Sequence, residues 1–190
     1  MSGAIAGVVP FRLSGGYASQ EGILKTDKFE RYSSSLNLAP KLFKDHLSVN
    51  ANAKLVQTKS RFANGGAVGS AATFDPTHPA TLSTSKYGGY FEWEETKDGQ
   101  LVPKSLSTRN PVGLLELRDN RSVVNRFIGN VQLDYKLHFF PDLHVLANFG
   151  VDNANGNGND LIDSTAGTDY ITKGRAAHYA QFKSNSLNEI

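Results

Sequence analysis

Val123-Val-Asn-Arg-Phe-Ile-Gly-Asn-Val-Gln-Leu-Asp-Tyr-Lys-Leu-His-Phe-Phe-Pro-Asp-Leu-His-Val-Leu-Ala-Asn-Phe-Gly-Val151 is the stretch whose reading decides the fold. Phe127, Val131, Leu133, Tyr135, Leu137 and Phe139 fall on one face, with Gly129 among them, and Arg126, Asn130, Gln132, Asp134, Lys136 and His138 on the other. Alternation with period two is the mark of a strand with one apolar and one polar surface. Phe140-Pro141-Asp142 predicts a turn, because proline lacks a ladder donor and pre-sets a turn dihedral. The second arm resumes with Leu143, Val145, Ala147, Phe149 and Val151 against His144, Asn148, Gly150 and Asp152. Strands are usually about 5–6 residues long. Two arms this tall suit a β-barrel that crosses a membrane better than a soluble sheet.

Working outward, the same grammar recurs. Phe11, Leu13, Gly15 and Tyr17 alternate with Arg12, Ser14, Gly16 and Ala18; Leu47, Val49, Ala51, Ala53 and Leu55 alternate with Ser48, Asn50, Asn52 and Lys54. The pattern predicts an all-β chain: a partial antiparallel transmembrane β-barrel of about six strands, at 8–19, 29–39, 47–61, 123–139, 143–152 and 176–190. Pro40–His46 reads as a short proline turn like that at Pro141, whereas 20–27 is a longer polar connection. Short turns at one end and long loops at the other are the habit of outer-membrane barrels. Residues 62–122 carry no strand pattern and are too long for an ordinary connection, so they read as a functional extracellular loop. Two short helices belong in it: one over Ala67–Thr73, the other with Asn110 as N-cap and Pro111 at its first position.

Composition excludes several classes. Among 190 residues there are 18 glycines, no cysteine and a hydrophobic fraction of 39%. No window approaches the ~18 apolar residues of a membrane helix. Disulfides and thiolate sites are excluded, and a net charge of +2 without basic runs gives nucleic acid no footprint. Met1–Pro10 lacks the basic and apolar regions of a signal peptide.

Motifs for chemistry are weak. Asp152-Asn-Ala-Asn-Gly-Asn-Gly-Asn-Asp160 resembles a calcium loop in its oxygen-rich, glycine-kinked composition. An EF-hand register, however, puts Ser164 where a glutamate should stand, so a flexible outer loop is the favoured reading. The five histidines are scattered, no nucleophile elbow or phosphate loop occurs, and no cofactor or metal is expected. Glu92, Glu94 and Glu95 read as solvated loop charges, and no enzyme is expected. Tyr87, Tyr90, Phe91 and Trp93 are the ligand-binding candidates, since such rings stack on sugars and side chains. Internal packing of the loop is the competing role.

Several stretches, in order, resemble the SusC/RagA family of TonB-linked outer-membrane transporters. They are Gly22–Asp27, Phe29, Arg31-Tyr32, Ser35–Leu38, Arg61–Gly66, Phe74–Thr77 with Pro79, Gly88–Trp93, Thr108–Pro111 with Leu114-Leu115, and Ile128–Tyr135. The resemblance implies a plugged barrel of about 22 strands, set in outer-membrane lipid. It also implies a SusD-like surface lipoprotein as lid, TonB as the source of energy, and a glycan or peptide as substrate. No plug domain is expected within these residues, which read as an internal piece of such a barrel. The alternatives are a soluble all-β carbohydrate-binding module and a non-functional remnant of a transporter gene.

Overall fold

The computed structural model describes residues 1–5 and 9–190. The strand start expected at Val8 therefore lies outside the described residues. The chain runs β1 (Ser2–Ile5), β2 (Val9–Glu21), β3 (Lys28–Leu38), β4 (Lys41–Leu42), β5 (Leu47–Phe62), α1 (Gly66–Thr73), β6 (Glu94–Lys97), β7 (Gln100–Pro103), α2 (Pro111–Glu116), β8 (Arg118–Leu137), β9 (Phe140–Ile162) and β10 (Arg175–Glu189). The main sheet has the order β1-β2-β3-β5-β8-β9-β10, antiparallel throughout, with β4 paired to β5. The fold is all-β. No helix is long and apolar enough to cross a membrane, among the described residues.

Register decides which side chains share a face. Leu13, Leu36, Ala53, Gly129 and Val151 form one cross-strand row, and Phe11, Leu38, Ala51, Val131 and Phe149 the next. Adding Leu47, Tyr135 and Val145 at one end and Leu55 and Phe127 towards the other gives a continuous apolar band. Many of its members stand exposed, Leu13, Leu36, Leu55, Phe127, Val131 and Phe149 among them. The Tyr17–Tyr32 pair, ring centroids 4.9 Å apart, closes the band at its upper limit. From Leu47 to the row of Tyr32, where Gln57 donates to Asn125 at 2.9 Å, the face covers about 33 Å of strand, or about 23 Å of membrane normal at a tilt near 45°. That matches the ~25 Å apolar belt of a transmembrane barrel, edged by aromatic rings. On β10 the same rows hold Asn188, Ser186 and Ser184, and Phe182, one row further on, is exposed on this face beside Asn155.

The opposite face is polar and internally bonded. Asn37 donates to Asn50 at 2.9 Å and to Asn52 at 2.6 Å, and Asn130 donates to Asn148 at 2.6 Å. Arg126 is paired with Asp152, its Nε at 2.7 Å, and His144 Nδ1 lies 2.7 Å from Asp134. Amides and charges on this face satisfy one another or water, which hydrocarbon would not allow.

Strand parity puts the connections 22–27, 63–117 and 163–174 at one end and 39–46 and 138–139 at the other. At the turn end the rings of His46 and His138 stack at 3.9 Å, and Lys136 N–H donates to the His46 carbonyl at 2.8 Å.

Several boundaries differ from the sequence reading. The hairpin turn is His138-Phe139 rather than Phe140–Asp142: Leu137 pairs with Phe140, and a register shift after Lys136 absorbs 141–143 as a bulge. The strand expected at 143–152 runs from Phe140 to Ile162. Asp152–Asp160, the expected calcium-like loop, is therefore strand, hydrogen-bonded on one side to β8 and on the other to β10. Pairing on both edges overrides the poor strand propensity of Asn and Gly. Gly158 has a further reason to be glycine, because the Tyr179 ring lies directly over it where a Cβ would stand. The excursion expected over 62–122 contracts to 63–117, since Arg118–Ser122 belong to β8.

Candidate functional site

The excursion 63–117 is a folded unit seated on the loop end of the sheet. It contains α1, α2 and a small hairpin, β6–β7, which sequence reading missed. The signal was present: Asp98-Gly99 adopts positive φ at both residues, 51° and 76°, as a two-residue hairpin turn of the Asp-Gly type requires.

Asn110 is its fastener. Its side chain is 0% exposed and caps α2 by accepting from the amides of Val112 and Gly113, both at 3.0 Å. Its Nδ2 donates to the carbonyls of Ala80 at 2.7 Å and Phe91 at 3.2 Å. Three segments thus meet on one side chain, and the Asn110 backbone N–H donates to Glu92 Oε1 at 3.1 Å. Glu92, read from sequence as a solvated charge, is buried at 8% exposure. Folding the loop back on itself removes it from water, and the Asn110 amide with Arg109, Nη1 at 3.4 Å, compensates its charge. Burial nonetheless wins, and pushes the Glu92 carboxyl above its ordinary range.

That shift carries a sign. A carboxyl raised in the folded state favours folding below its unfolded pKa, and the contribution is lost as pH rises through the folded value. Asp75, Glu94 and Asp163 shift the other way: hydrogen bonds from Thr77 and Thr165 hold Asp75 and Asp163 low, and bonds from Lys86 and Tyr87 hold Glu94 low. Their contribution is lost as pH falls. Amide exchange around Asn110, corrected for intrinsic rates and followed upward from pH 4, should quicken in the native protein relative to Glu92→Gln. Parallel profiles for the two proteins would exclude Glu92 as the source.

The four aromatic candidates do not form one platform. Phe91 and Trp93 join Phe74 and His78 in a cluster: His78 stacks on Phe91 at 4.3 Å, and Trp93 meets Phe74 and Phe91 edge-on at 5.1 Å each. Tyr87 is 2% exposed on the other side, its hydroxyl donating to Glu94 at 2.8 Å and its ring against Tyr170 at 4.8 Å. Burial raises the Tyr87 phenol well above its ordinary value, which keeps the hydroxyl a donor. Tyr90 lines a crevice with Glu92, Arg118, Asp169 and Arg175.

The excursion is joined to both neighbouring loops. Gly88, at φ +65°, lets the chain pass against Leu117 and Thr165; a Cβ there would lie 2.8 Å from Leu117. Gly167 similarly packs on Glu92, and Asp163 N–H donates to the Leu117 carbonyl at 2.9 Å. Lys25 pairs with Glu116 from the 22–27 side. Between β6–β7 and 163–174 runs a groove of about 560 Å³ offering Glu95, Ser105, Arg109, Asp169, Tyr170 and Thr172. None of these was a candidate in sequence, where Glu95 read as a solvated charge, since only tertiary docking brings 163–174 to the excursion. Charged forks, hydroxyls and a ring can hydrogen-bond and stack on a polar ligand. No three His, Asp or Glu side chains converge as metal ligands, among the described residues.

Comparison with known proteins bears on what this architecture belongs to. No family model matches the chain. The TonB-dependent receptor SusC of Bacteroides thetaiotaomicron is 39% identical over 164 residues, covering 81% of this chain and 16% of that protein. The chain thus spans 16% of the length of this curated relative. With an antiparallel sheet of tall strands, one face apolar and the other polar, and an identity of this size along most of its length, the chain belongs to the SusC family of TonB-dependent receptors.

Proposed function

We propose that this chain supplies wall strands and part of the outer mouth of a TonB-dependent importer of glycans or peptides. In this reading the loop end faces outward, a SusD-like lipoprotein closes over it, and TonB drives uptake from the other side. No step of the chain's own chemistry is enzymatic. The division of the sheet into an exposed apolar band and a hydrogen-bonded polar face is the observation that carries the reading. The groove between β6–β7 and 163–174 is the part of the mouth equipped to touch substrate. Of the aromatic candidates, Tyr90 has the best case for ligand contact because it lines a crevice with the charged side chains of Glu92, Arg118, Asp169 and Arg175. The packing of Tyr87, Phe91 and Trp93 supports a role in holding the loop together.

Single cysteines test the orientation. Placed in the full-length receptor at Leu36, Ala53 or Val131, they should resist a membrane-impermeant maleimide in intact outer membranes. At Asn37, Asn52 or Asn130 they should react once the lumen is opened to reagent. Equal labelling of the two sets would end the membrane-wall reading in favour of a soluble sheet.

A further inference from the structure

The β6–β7 hairpin has one blocked edge and one open edge. Lys104 N–H donates to the Trp93 carbonyl at 2.7 Å, and the Asp98-Gly99 turn closes the ladder where Lys97 faces Gln100. Bonded pairs recur at every second position of an antiparallel ladder. Glu95 with Val102 and Lys97 with Gln100 therefore exchange the ladder bonds, and Glu94, Thr96, Leu101 and Pro103 turn their backbone groups outward. On the β7 side these groups are taken or missing. The Leu101 carbonyl accepts from Lys86 Nζ at 2.8 Å, and Pro103 has no N–H to offer. On the β6 side neither the N–H nor the C=O of Glu94 or Thr96 finds a partner among the described residues, and both residues are exposed.

The open edge borders the groove. Glu95, Thr96 and Lys97 all line it, and because side chains alternate along a strand, three consecutive residues border one groove along the strand's edge. Lys86 and Leu101, at the blocked edge, do not line it. The facing wall, Gly167–Thr172, is fixed by its own turns: Asp169 N–H donates to the Ala166 carbonyl at 3.1 Å, and Gly174 N–H to the Asp169 carbonyl at 2.9 Å. An unpaired strand edge is a template for another chain. An extended peptide presents N–H and C=O to one side at the strand's own spacing, which the hydroxyls of a glycan do not. We propose that the groove binds an extended peptide, added as a third strand to β6. β6 is four residues long, which spans about 13 Å. Alternate amides of the guest pair with the backbone of Glu94 and Thr96, while Arg109 and Tyr170 meet its side chains.

The inference rests on the groove being the part of the mouth that meets substrate, and it names peptide as the substrate class. The probe is a hexapeptide of alternating threonine and valine, blocked at both ends and titrated by calorimetry against the full-length receptor in mild detergent. Two further forms carry N-methyl groups on the odd or on the even amides. One form should bind about tenfold more weakly and the other within about twofold of the parent, because only alternate amides face β6. Thr96→Pro deletes the outward N–H at an edge position where proline is tolerated, and should weaken the parent peptide about tenfold. Thr96→Ala keeps that N–H and should bind like the native protein. The neutral hexasaccharide maltohexaose should not displace the peptide. No binding of the parent peptide, equal losses from the two methylated forms, native affinity in Thr96→Pro, or displacement by maltohexaose would each overturn strand addition. None of these results alters the cysteine labelling, so the groove can fail while the membrane-wall reading stands.

Discussion

Val131→Arg should cost the receptor about 2–4 kcal/mol of stability in a lipid bilayer, the price of a guanidinium near the midplane of a barrel's lipid face. Val131 lies in the row of Ala51 and Phe149, midway between the Leu47–Tyr135 row and the tyrosine pair, and it is exposed. Nothing on the protein can shield a charge there, and snorkelling to either interface is longest from the middle of the band. Its chain neighbour supplies the control. Asn130→Arg turns the same charge to the polar face, where the loss is that of the 2.6 Å bond to Asn148, about 1 kcal/mol. Guanidinium unfolding of the full-length receptor in vesicles measures both. Equal losses would mean that the apolar face does not meet hydrocarbon.

Asn110→Ala should loosen the whole excursion while leaving the sheet intact. The substitution removes the α2 cap, worth about 1 kcal/mol. It also strips the carbonyls of Ala80 and Phe91 of a donor, at about 1 kcal/mol or more each, so a local loss near 3 kcal/mol is expected. Amide exchange over 80–93 and 111–117 should accelerate by about two orders of magnitude, with new protease cuts inside 63–117 and unchanged protection in β5, β8 and β9. Asn110→Ser restores a capping oxygen and should recover about 1 kcal/mol only. Asn110→Asp keeps the acceptor but sets a second buried carboxylate beside Glu92, and should not rescue. Unaltered exchange in the alanine variant would show that the aromatic cluster alone holds the loop.

The two experiments probe parts of the chain that differ in how far they could be read in advance. The faces of the wall were legible because a strand's side chains alternate with a fixed period, so Val131 and Asn130 are assigned to opposite sides by their order alone. The N-cap at Asn110 and the proline after it were legible for the same reason: the chemistry is local. Family membership also shows in short motifs such as Gly88–Trp93 and Ile128–Tyr135, which depend on order rather than on contacts.

Other features had no local signature. The Asn-Gly run at 152–160 has the composition of a loop and becomes strand only because β8 and β10 bind both its edges. Glu92 is written among other acids, and only the return of the chain past Asn110 buries it. Tyr170 and Asp169 are distant in sequence from Arg109, yet docking of 163–174 on the excursion sets them in one groove. Likewise Lys28, Arg61 and Arg121 become a single row only through register across three strands. Sequence by itself determined what is local to the chain: strand faces, the order of turns and loops, and the Asn110 cap. The tertiary structure decided burial, charge pairing and the walls of the grooves, because each depends on residues far apart in the chain whose approach no local pattern encodes.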